Sequence, residues 1–298
     1  MRRQHLGKFL LALTAALLLV MIGIATSTQA KLFIVNQMAL AQDMQRYTAI
    51  AYGSEAEQRL DIYTPLNSLS AGNLPVVVFF YGGCWGACET LPKANYAFVA
   101  QTLTLHGIVV VIADYRLFPK VRFPSIIDDA RNAVEWTHQH IDQYGGNPKQ
   151  IFLMGHSAGA HLAAMLAMNQ AYLSTETYAD VSGFIGLAGP YNFLPFDEAY
   201  MPELFGPPLT ERESQPITYV DGSEPPSLLL YGAADTRVKP VNIEGLYKRL
   251  EAANSVVNKR IYQGVGHADI IASFSIPLRR ENPVVLDAIQ FIKSIQTK

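Results

Sequence analysis

The stretch QIFLMGHSAGAHLAA, residues 150–164, decides the fold. It begins as an apolar run typical of a strand buried on both faces of a sheet, and it continues into small residues at helical spacing. At the junction, Gly155-His-Ser-Ala-Gly159 fits the pattern G-x-S-x-G. Small residues two positions from Ser157 allow the strand and the helix to approach each other across a strained turn. The helix start favours negative charge beside the hydroxyl, so the pattern predicts Ser157 as a nucleophile, the alternative being a tight turn with a passive serine.

Strand-like and helix-like segments alternate along the rest of the chain. The runs LPVVVFFYGG (74–83) and IVVVIADYRL (108–117) predict further buried strands. The segment 125–146 has helical spacing and ends at two glycines. Because buried strands alternate with helices, we predict an α/β fold with a mostly parallel, doubly wound sheet of about eight strands. Residues 47–298 are expected to form this single domain.

Residues 190–226 interrupt the alternation. They are rich in proline, tyrosine and phenylalanine and show weak periodicity. Since a loop of this length in a compact domain usually has a function, we predict a short cap-like insertion over the carboxyl edge of the sheet. An irregular surface excursion is the alternative.

The N-terminus has a different composition. Positive residues, the last of them Lys8, precede an uninterrupted apolar run at residues 9–25 and the sequence TSTQA at 26–30. The run has 17 residues, longer than a usual signal core and shorter than a comfortable membrane span. Residues 1–30 are therefore predicted to be a signal peptide or a membrane anchor, followed by a linker at 31–46. Either reading exports the domain to the periplasm or the exterior, with anchoring by residues 9–25 in the second case.

Charge and cysteine content exclude several classes of partner. The net charge is −2 without a block of like charge, which gives no support for a nucleic-acid partner. The two cysteines, Cys84 and Cys88, lack the cluster that zinc requires, and their spacing excludes a C-x-x-C redox centre, so no metal is predicted. Because the domain is exported and the cysteine count is even, we predict a Cys84–Cys88 disulfide. Two reduced side chains packed under the loop are the alternative.

A nucleophilic serine needs a base, and the base needs an orienting carboxylate. In this architecture they follow in the order serine, acid, histidine, each at the end of a strand. The segment SLLLYGAADTRV places Asp235 after a strand, and KRIYQGVGHADI places His267 after the last strand. Both lie downstream of Ser157 in that order, so we predict Asp235 and His267 as its partners.

Other histidines and aspartates compete for these roles. Three histidines in or beside earlier helical segments are expected at the surface: His106, His138 and His140. Two histidines close to Ser157 are expected to pack against it or support it: His156 and His161. Asp269, after His267, is expected to cap a helix or form a turn, and the serious competitor for the acid is Asp221, which precedes its strand and is expected at the opposite edge of the sheet.

Acyl transfer also needs donors for the oxyanion, one from the residue after the serine and others from the loop after the third strand. The sequence YGG ends that strand, and glycine lets the backbone approach a substrate oxygen closely. We therefore predict the main-chain N–H groups of Gly83, Cys84 and Ala158 as the oxyanion donors.

From about Tyr47 onward, the chain resembles the α/β-hydrolase superfamily, through YGGCW, DYRLFP, GNPKQIFLMGHSAGAHLAA, GAADTRV and GVGH. It is most similar to the esterase/lipase branch, which includes hormone-sensitive-lipase-like carboxylesterases, bacterial feruloyl and acetyl esterases, and arylformamidases. The resemblance implies the α/β-hydrolase fold, with Ser157 as nucleophile, His267 as base and Asp235 as its orienter, and it implies no cofactor. The resemblance departs at Tyr81, where the family usually has histidine in a supporting role.

The resemblance implies a serine carboxylesterase that hydrolyses small or short-acyl esters through an acyl-enzyme. An arylformamidase-type amide hydrolase would share every catalytic residue and is the alternative. A binding protein on an inactive hydrolase scaffold is disfavoured, because none of the three triad residues is lost. The motif DYRL is expected to be structural, with Arg116 paired to Asp128 or Asp129.

Overall fold

The structure is a computed structural model that describes residues 28–66, 68–88, 92–280 and 282–295. The predicted leader lies outside these residues except for its last three positions. Among the described helices, none has the length and the apolar composition needed to cross a bilayer.

Eight strands in the described part of the chain form one sheet, in the spatial order β1-β2-β4-β3-β5-β6-β7-β8. The pairs β1–β2 and β2–β4 are antiparallel and all other neighbours are parallel, which confirms the predicted mostly parallel sheet. The strands are β1 Gln45–Ala51, β2 Arg59–Thr64, β3 Leu74–Phe80, β4 Val109–Ala113, β5 Gly146–His156, β6 Val181–Leu187, β7 Ser227–Gly232 and β8 Val257–Tyr262.

Helices and short 3₁₀ turns connect the strands. The helix that follows β5 is buried along its whole length, and its small residues let it pack closely on the central strands. The helices of the described residues are α1 Thr28–Leu40, α2 Ser68–Ala71, α3 Ala97–Thr104, α4 Phe123–His140, α5 Ala158–Met168, α6 Thr175–Ala179, α7 Met201–Leu204, α8 Val241–Ala252, α9 His267–Ala272 and α10 Pro283–Ile295.

The segment predicted as a linker, residues 31–46, is largely helical. Helix α1 runs to Leu40 and packs on α3, with Asn36 and Ala39 buried. The Asn36 side chain accepts a hydrogen bond from the Phe98 amide at 3.3 Å and donates to the carbonyl of Asn95. The sequence of α1 is apolar on both of its faces, so it lacks the one-sided pattern that predicts a packed helix.

The predicted cap, residues 190–226, connects β6 to β7. It contains α7 and two 3₁₀ turns, Glu211–Ser214 and Pro216–Tyr219. The side chains of Thr210 and Glu213 cap the first of these turns reciprocally. Its first half lines the pocket that contains Ser157.

Candidate active site

Ser157 is the single residue between β5 and α5, where the chain turns sharply. Its backbone has φ 55° and ψ −123°, a strained conformation for a residue with a side chain. A Cβ atom on Gly155 would lie 2.2 Å from the carbonyl oxygen of Gly159, and one on Gly159 would lie 2.1 Å from that of Phe80. The two glycines are therefore required by the contact between helix and strands, which is the reason for their spacing around the serine.

The structure brings Ser157, His267 and Asp235 together. The Nε2 atom of His267 lies 2.9 Å from Ser157 Oγ, and its Nδ1 atom lies 2.8 Å from Asp235 Oδ2. His267 is the first residue of α9, and Asp235 follows β7, so both come from the carboxyl edge of the sheet, as the strand order requires. In this arrangement the serine hydroxyl donates to a ring nitrogen whose opposite nitrogen donates to the carboxylate.

Asp235 is oriented by the backbone as well as by His267. Its Oδ1 atom accepts from the amides of Arg237 at 2.8 Å and Val238 at 3.0 Å. Burial by itself raises the pKa of Asp235, but the hydrogen bonds from His267 and the two amides outweigh it and leave the pKa below its ordinary value. The group is therefore a carboxylate at neutral pH, with one oxygen fully committed to the backbone.

His156 packs against His267, the predicted base, and bonds to its backbone. It is buried, its Nε2–H donates to the carbonyl of His267 at 2.9 Å, and the two rings lie 4.8 Å apart. Burial, with the neighbouring His267, lowers the pKa of His156 to about 3, so it is neutral and holds the backbone of His267. This agrees with the supporting role expected for it.

Within the described residues, the side chains of the other rivals do not bond to the Ser157 hydroxyl or the His267 ring. The Asp269 side chain accepts from the Gly266 amide at 2.9 Å and so caps α9. Asp221 is exposed and accepts from Ser223. The three histidines expected at the surface are exposed or half-buried: His106, His138 and His140.

The loop after β3 approaches Ser157 with an unusual backbone. Gly83, Cys84 and Trp85 have φ values of 124°, 53° and 55°, and we call residues 83–85 the oxyanion loop. Cys84 and Ala158 line the same pocket as Ser157. Within the described residues, the amides of Gly83, Cys84 and Ala158 donate no hydrogen bond to the protein. Of the three predicted oxyanion donors, Cys84 and Ala158 therefore present unpaired N–H groups in the pocket that contains Ser157.

Tyr81, at the position where the resemblance departs, braces the oxyanion loop from the core. Its ring stacks between Tyr96 and Tyr115, with centroids 5.2 and 5.0 Å away. Its hydroxyl donates to Asp114 Oδ1 at 2.8 Å, and its carbonyl accepts from the Tyr115 hydroxyl at 2.7 Å. Asp114 is also paired with Lys93 at 2.9 Å. A buried network therefore supports the loop without placing the tyrosine hydroxyl in the pocket.

Arg116 pairs with Asp129, one of the two carboxylates expected for it. Its Nε and Nη2 atoms lie 2.8 and 2.7 Å from the two oxygens of the fully buried Asp129. Gln58 donates to the same carboxylate at 2.7 Å. The pair ties the loop after β4 to α4 and is structural, as expected for the DYRL motif.

Comparison with known proteins agrees with this geometry. Residues 60–250 match the family model BD-FAE. The chain belongs to the BD-FAE family. Its fold and its motifs place it in the esterase branch of the α/β hydrolases.

Relatives of this BD-FAE chain include esterases and a formamidase. It is 28% identical over 247 residues to the probable isoprenylcysteine alpha-carbonyl methylesterase ICMEL1 of Arabidopsis thaliana, covering 74% of this chain and 51% of that protein. It is 35% identical over 159 residues to the kynurenine formamidase of Danio rerio, covering 52% and 49%. The chain thus spans about half the length of these curated relatives.

A solved structure shares the fold. The truncated form of a carbohydrate esterase from gut microbiota superimposes with a TM-score of 0.72 at 21% identity, over 85% of this chain and 97% of that one. At this identity the likeness concerns the fold.

The BD-FAE chain has a disulfide between Cys84 and Cys88, as predicted. The bridge closes a short ring that begins at an oxyanion-loop residue. Arg237, two residues after Asp235, places its Nη2 atom 3.5 and 3.4 Å from the two sulfurs. The oxyanion loop is therefore connected both to its own downstream segment and to the loop that carries Asp235.

Reduction of this disulfide is expected to lower turnover about tenfold without unfolding the protein. The bridge restrains the backbone at Cys84, a predicted oxyanion donor, and misplaced donors lose rate, whereas a ring this short contributes little to global stability. The measurement compares kcat and circular dichroism before and after treatment with a phosphine reductant. Cys88→Ser, which has no bridge, is the control and should already be slow and insensitive to the reductant. Unchanged kcat in fully reduced wild-type protein would contradict the role.

The pocket beside Ser157 has a volume of about 260 Å³. Trp85, Phe193 and Phe196 line one side of it. Phe193 packs against Trp85 and Phe196 at centroid distances of 6.0 and 5.9 Å, so these rings form a continuous aromatic wall. Asp197 and Lys239 line it too, as an ion pair at 2.6 Å.

Proposed function

We propose that this chain is a serine carboxylesterase that hydrolyses small or short-acyl esters. The observation that carries the proposal is the hydrogen-bonded series Ser157–His267–Asp235 in a pocket lined by Cys84 and Ala158, whose backbone N–H groups are unpaired within the described residues. A passive serine in a tight turn would need neither a histidine at 2.9 Å nor unpaired amides beside it.

The chemistry follows from these positions. His267 Nε2 accepts the Ser157 proton as Oγ forms a bond to the ester carbonyl carbon. The carbonyl oxygen becomes an oxyanion and accepts hydrogen bonds from the oxyanion loop and Ala158, while Asp235 stabilises the imidazolium. The intermediate collapses when His267 returns the proton to the departing alcohol, which leaves an acyl-enzyme. A water molecule, deprotonated by the same nitrogen, then releases the acid and restores Ser157.

Amide hydrolysis is the second candidate, favoured by the 35% identity to a kynurenine formamidase. The same triad can serve it if His267 protonates a departing amine. The test is a panel of p-nitrophenyl esters of increasing chain length run beside N-formyl aryl amines. We expect the larger kcat/KM for the esters. A larger kcat/KM for the formyl amines would favour the amide hydrolase over the esterase. If the folded protein hydrolysed neither substrate class, the remaining interpretation would be a binding protein on a hydrolase scaffold.

Esters with short acyl chains are expected to be hydrolysed faster than those with long chains. A pocket of about 260 Å³ lies below the range of roughly 300–1,000 Å³ typical of ligand sites, and the aromatic wall closes one side of it. The measurement compares kcat/KM for four-carbon and sixteen-carbon p-nitrophenyl esters, with at least a tenfold preference expected for the shorter one. Phe193→Ala should open the aromatic wall and so reduce the ratio of kcat/KM for the four-carbon ester to kcat/KM for the sixteen-carbon ester. Faster hydrolysis of the sixteen-carbon ester by wild type would contradict this.

We also propose that the domain works outside the cytoplasmic membrane, in the periplasm or the exterior. The apolar leader in the sequence and the disulfide beside the active site support this. The leader serves as a cleaved signal or as an anchor at residues 9–25. Cell fractionation with N-terminal sequencing of the exported protein distinguishes these two and tests export itself.

A further inference from the structure

His161 has no part in the mechanism above, yet both of its ring nitrogens are bonded. It lies one turn into α5, is fully buried, and its amide donates to the Ser157 carbonyl at 3.1 Å. Its Nδ1 atom lies 3.2 Å from Trp85 Nε1, and its Nε2 atom lies 2.7 Å from the carbonyl oxygen of Ser214.

The partners of His161 fix its protonation state. An indole N–H only donates, so Nδ1 must accept from Trp85. A carbonyl only accepts, so Nε2 carries the hydrogen that is donated to Ser214. The ring is therefore neutral with its hydrogen on Nε2. Burial lowers the pKa of His161 to about 4, which is consistent with this neutral form.

The two bonds join three parts of the active site. Trp85 belongs to the oxyanion loop, directly after Cys84, and is itself in a strained positive-φ conformation. Ser214 belongs to the cap, and so does Phe193, whose ring lies 5.5 Å from the His161 ring. His161 moves with Ser157, because both stand at the start of α5. It therefore fixes the positions of the oxyanion loop and the cap relative to Ser157.

We propose that His161 is a positioning residue for the reaction proposed above. Through Trp85 it holds the Cys84 amide where the oxyanion forms, and through Ser214 it holds the cap where the substrate binds. The inference rests on the proposed function. It assigns separate consequences to the two bonds: loss of the Trp85 bond lowers kcat, and loss of the Ser214 bond raises KM.

Two substitutions separate the bonds. The amide nitrogen of glutamine reaches the place of Nε2, so His161→Gln keeps a donor for Ser214 and loses the acceptor for Trp85. The oxygen of asparagine reaches the place of Nδ1, so His161→Asn does the reverse. We expect His161→Gln to lower kcat roughly ten- to a hundredfold, part of the cost of losing an oxyanion donor. We expect His161→Asn to keep kcat within about threefold of wild type and to raise KM.

The matched control is His138→Gln. His138 is another hydrogen-bonded histidine, 2.8 Å from Asp180. Glutamine keeps a donor for Asp180 at the place of Nε2, so this substitution should leave kcat per active site unchanged. Active-site titration with a phosphonate corrects each kcat for the folded fraction. If His161→Gln does not fold, Trp85→Phe removes the same bond from the loop side and should lower kcat comparably.

A readout that does not depend on turnover tests the same contact. The chain has two tryptophans, so the indole region of a proton–nitrogen NMR spectrum has two N–H signals. Trp85→Phe identifies one of them, and Trp136 serves as the internal reference. The Trp85 signal should move in His161→Gln and stay nearly in place in His161→Asn. This holds even if wild type hydrolyses no ester, which would refute the proposed function alone. A folded His161→Gln variant with unchanged kcat and an unmoved Trp85 signal would overturn the inference.

Discussion

Ser157→Ala is expected to lower ester turnover by about 10⁴–10⁶-fold while the fold stays intact. The hydroxyl is the only group removed, and it is the atom 2.9 Å from His267 Nε2 that the mechanism uses as nucleophile. Alanine can keep the turn, since the two glycines that admit it are unchanged. The measurement is kcat on a short p-nitrophenyl ester, with circular dichroism to confirm the fold.

Ser223→Ala is the matched control for this substitution. Ser223 is exposed and bonded to Asp221, away from the triad. It should hydrolyse the ester at the wild-type rate. A folded Ser157→Ala variant with near wild-type turnover would remove Ser157 from the mechanism.

Asp235→Asn is expected to lower kcat by roughly 10⁴-fold with little change in structure. The reason lies in the two amides that bond to Oδ1, because they require an acceptor there. Asparagine must place its oxygen toward them and its NH₂ group toward His267 Nδ1. That nitrogen would then have to accept, which puts the ring hydrogen on Nε2, facing Ser157. The imidazole could no longer take the serine proton.

Asp221→Asn separates this effect from a general change of charge. Asp221 was the rival acid in the sequence, and the structure leaves it exposed beside Ser223. We expect the kcat of the Asp221→Asn variant to match that of wild type across the pH range in which the protein is folded. A large loss at Asp221 with little loss at Asp235 would reassign the acid.

The sheet and the triad geometry were accessible from sequence because both depend on local patterns. A strand buried on both faces is a continuous apolar run, and the elbow needs small residues at fixed spacing. Asp235 and His267 each follow such a run, so the parallel order alone brings them to one edge. Helix α1 was not accessible, because its outer face is as apolar as the face that packs on α3.

Contacts between segments that are distant along the chain also could not be predicted from the sequence. Nothing local decides that Arg116 pairs with Asp129 rather than with its neighbour Asp128, since both lie in α4. The link from His161 to Ser214 crosses 53 residues and depends on how the cap folds. The position of Arg237 beside the disulfide depends on two loops that meet only in the folded protein.

The left-handed backbone at Ser157, Cys84 and Trp85 has a consequence for engineering. Each such residue costs about 1–3 kcal/mol, which the rest of the fold must offset. Glycine would relieve the strain at Ser157 but remove the hydroxyl, whereas at Cys84 or Trp85 it would also cost the disulfide or a buried indole that bonds His161. Selection for heat resistance alone would therefore favour loss of the serine at position 157, a stability–activity trade-off concentrated in one residue.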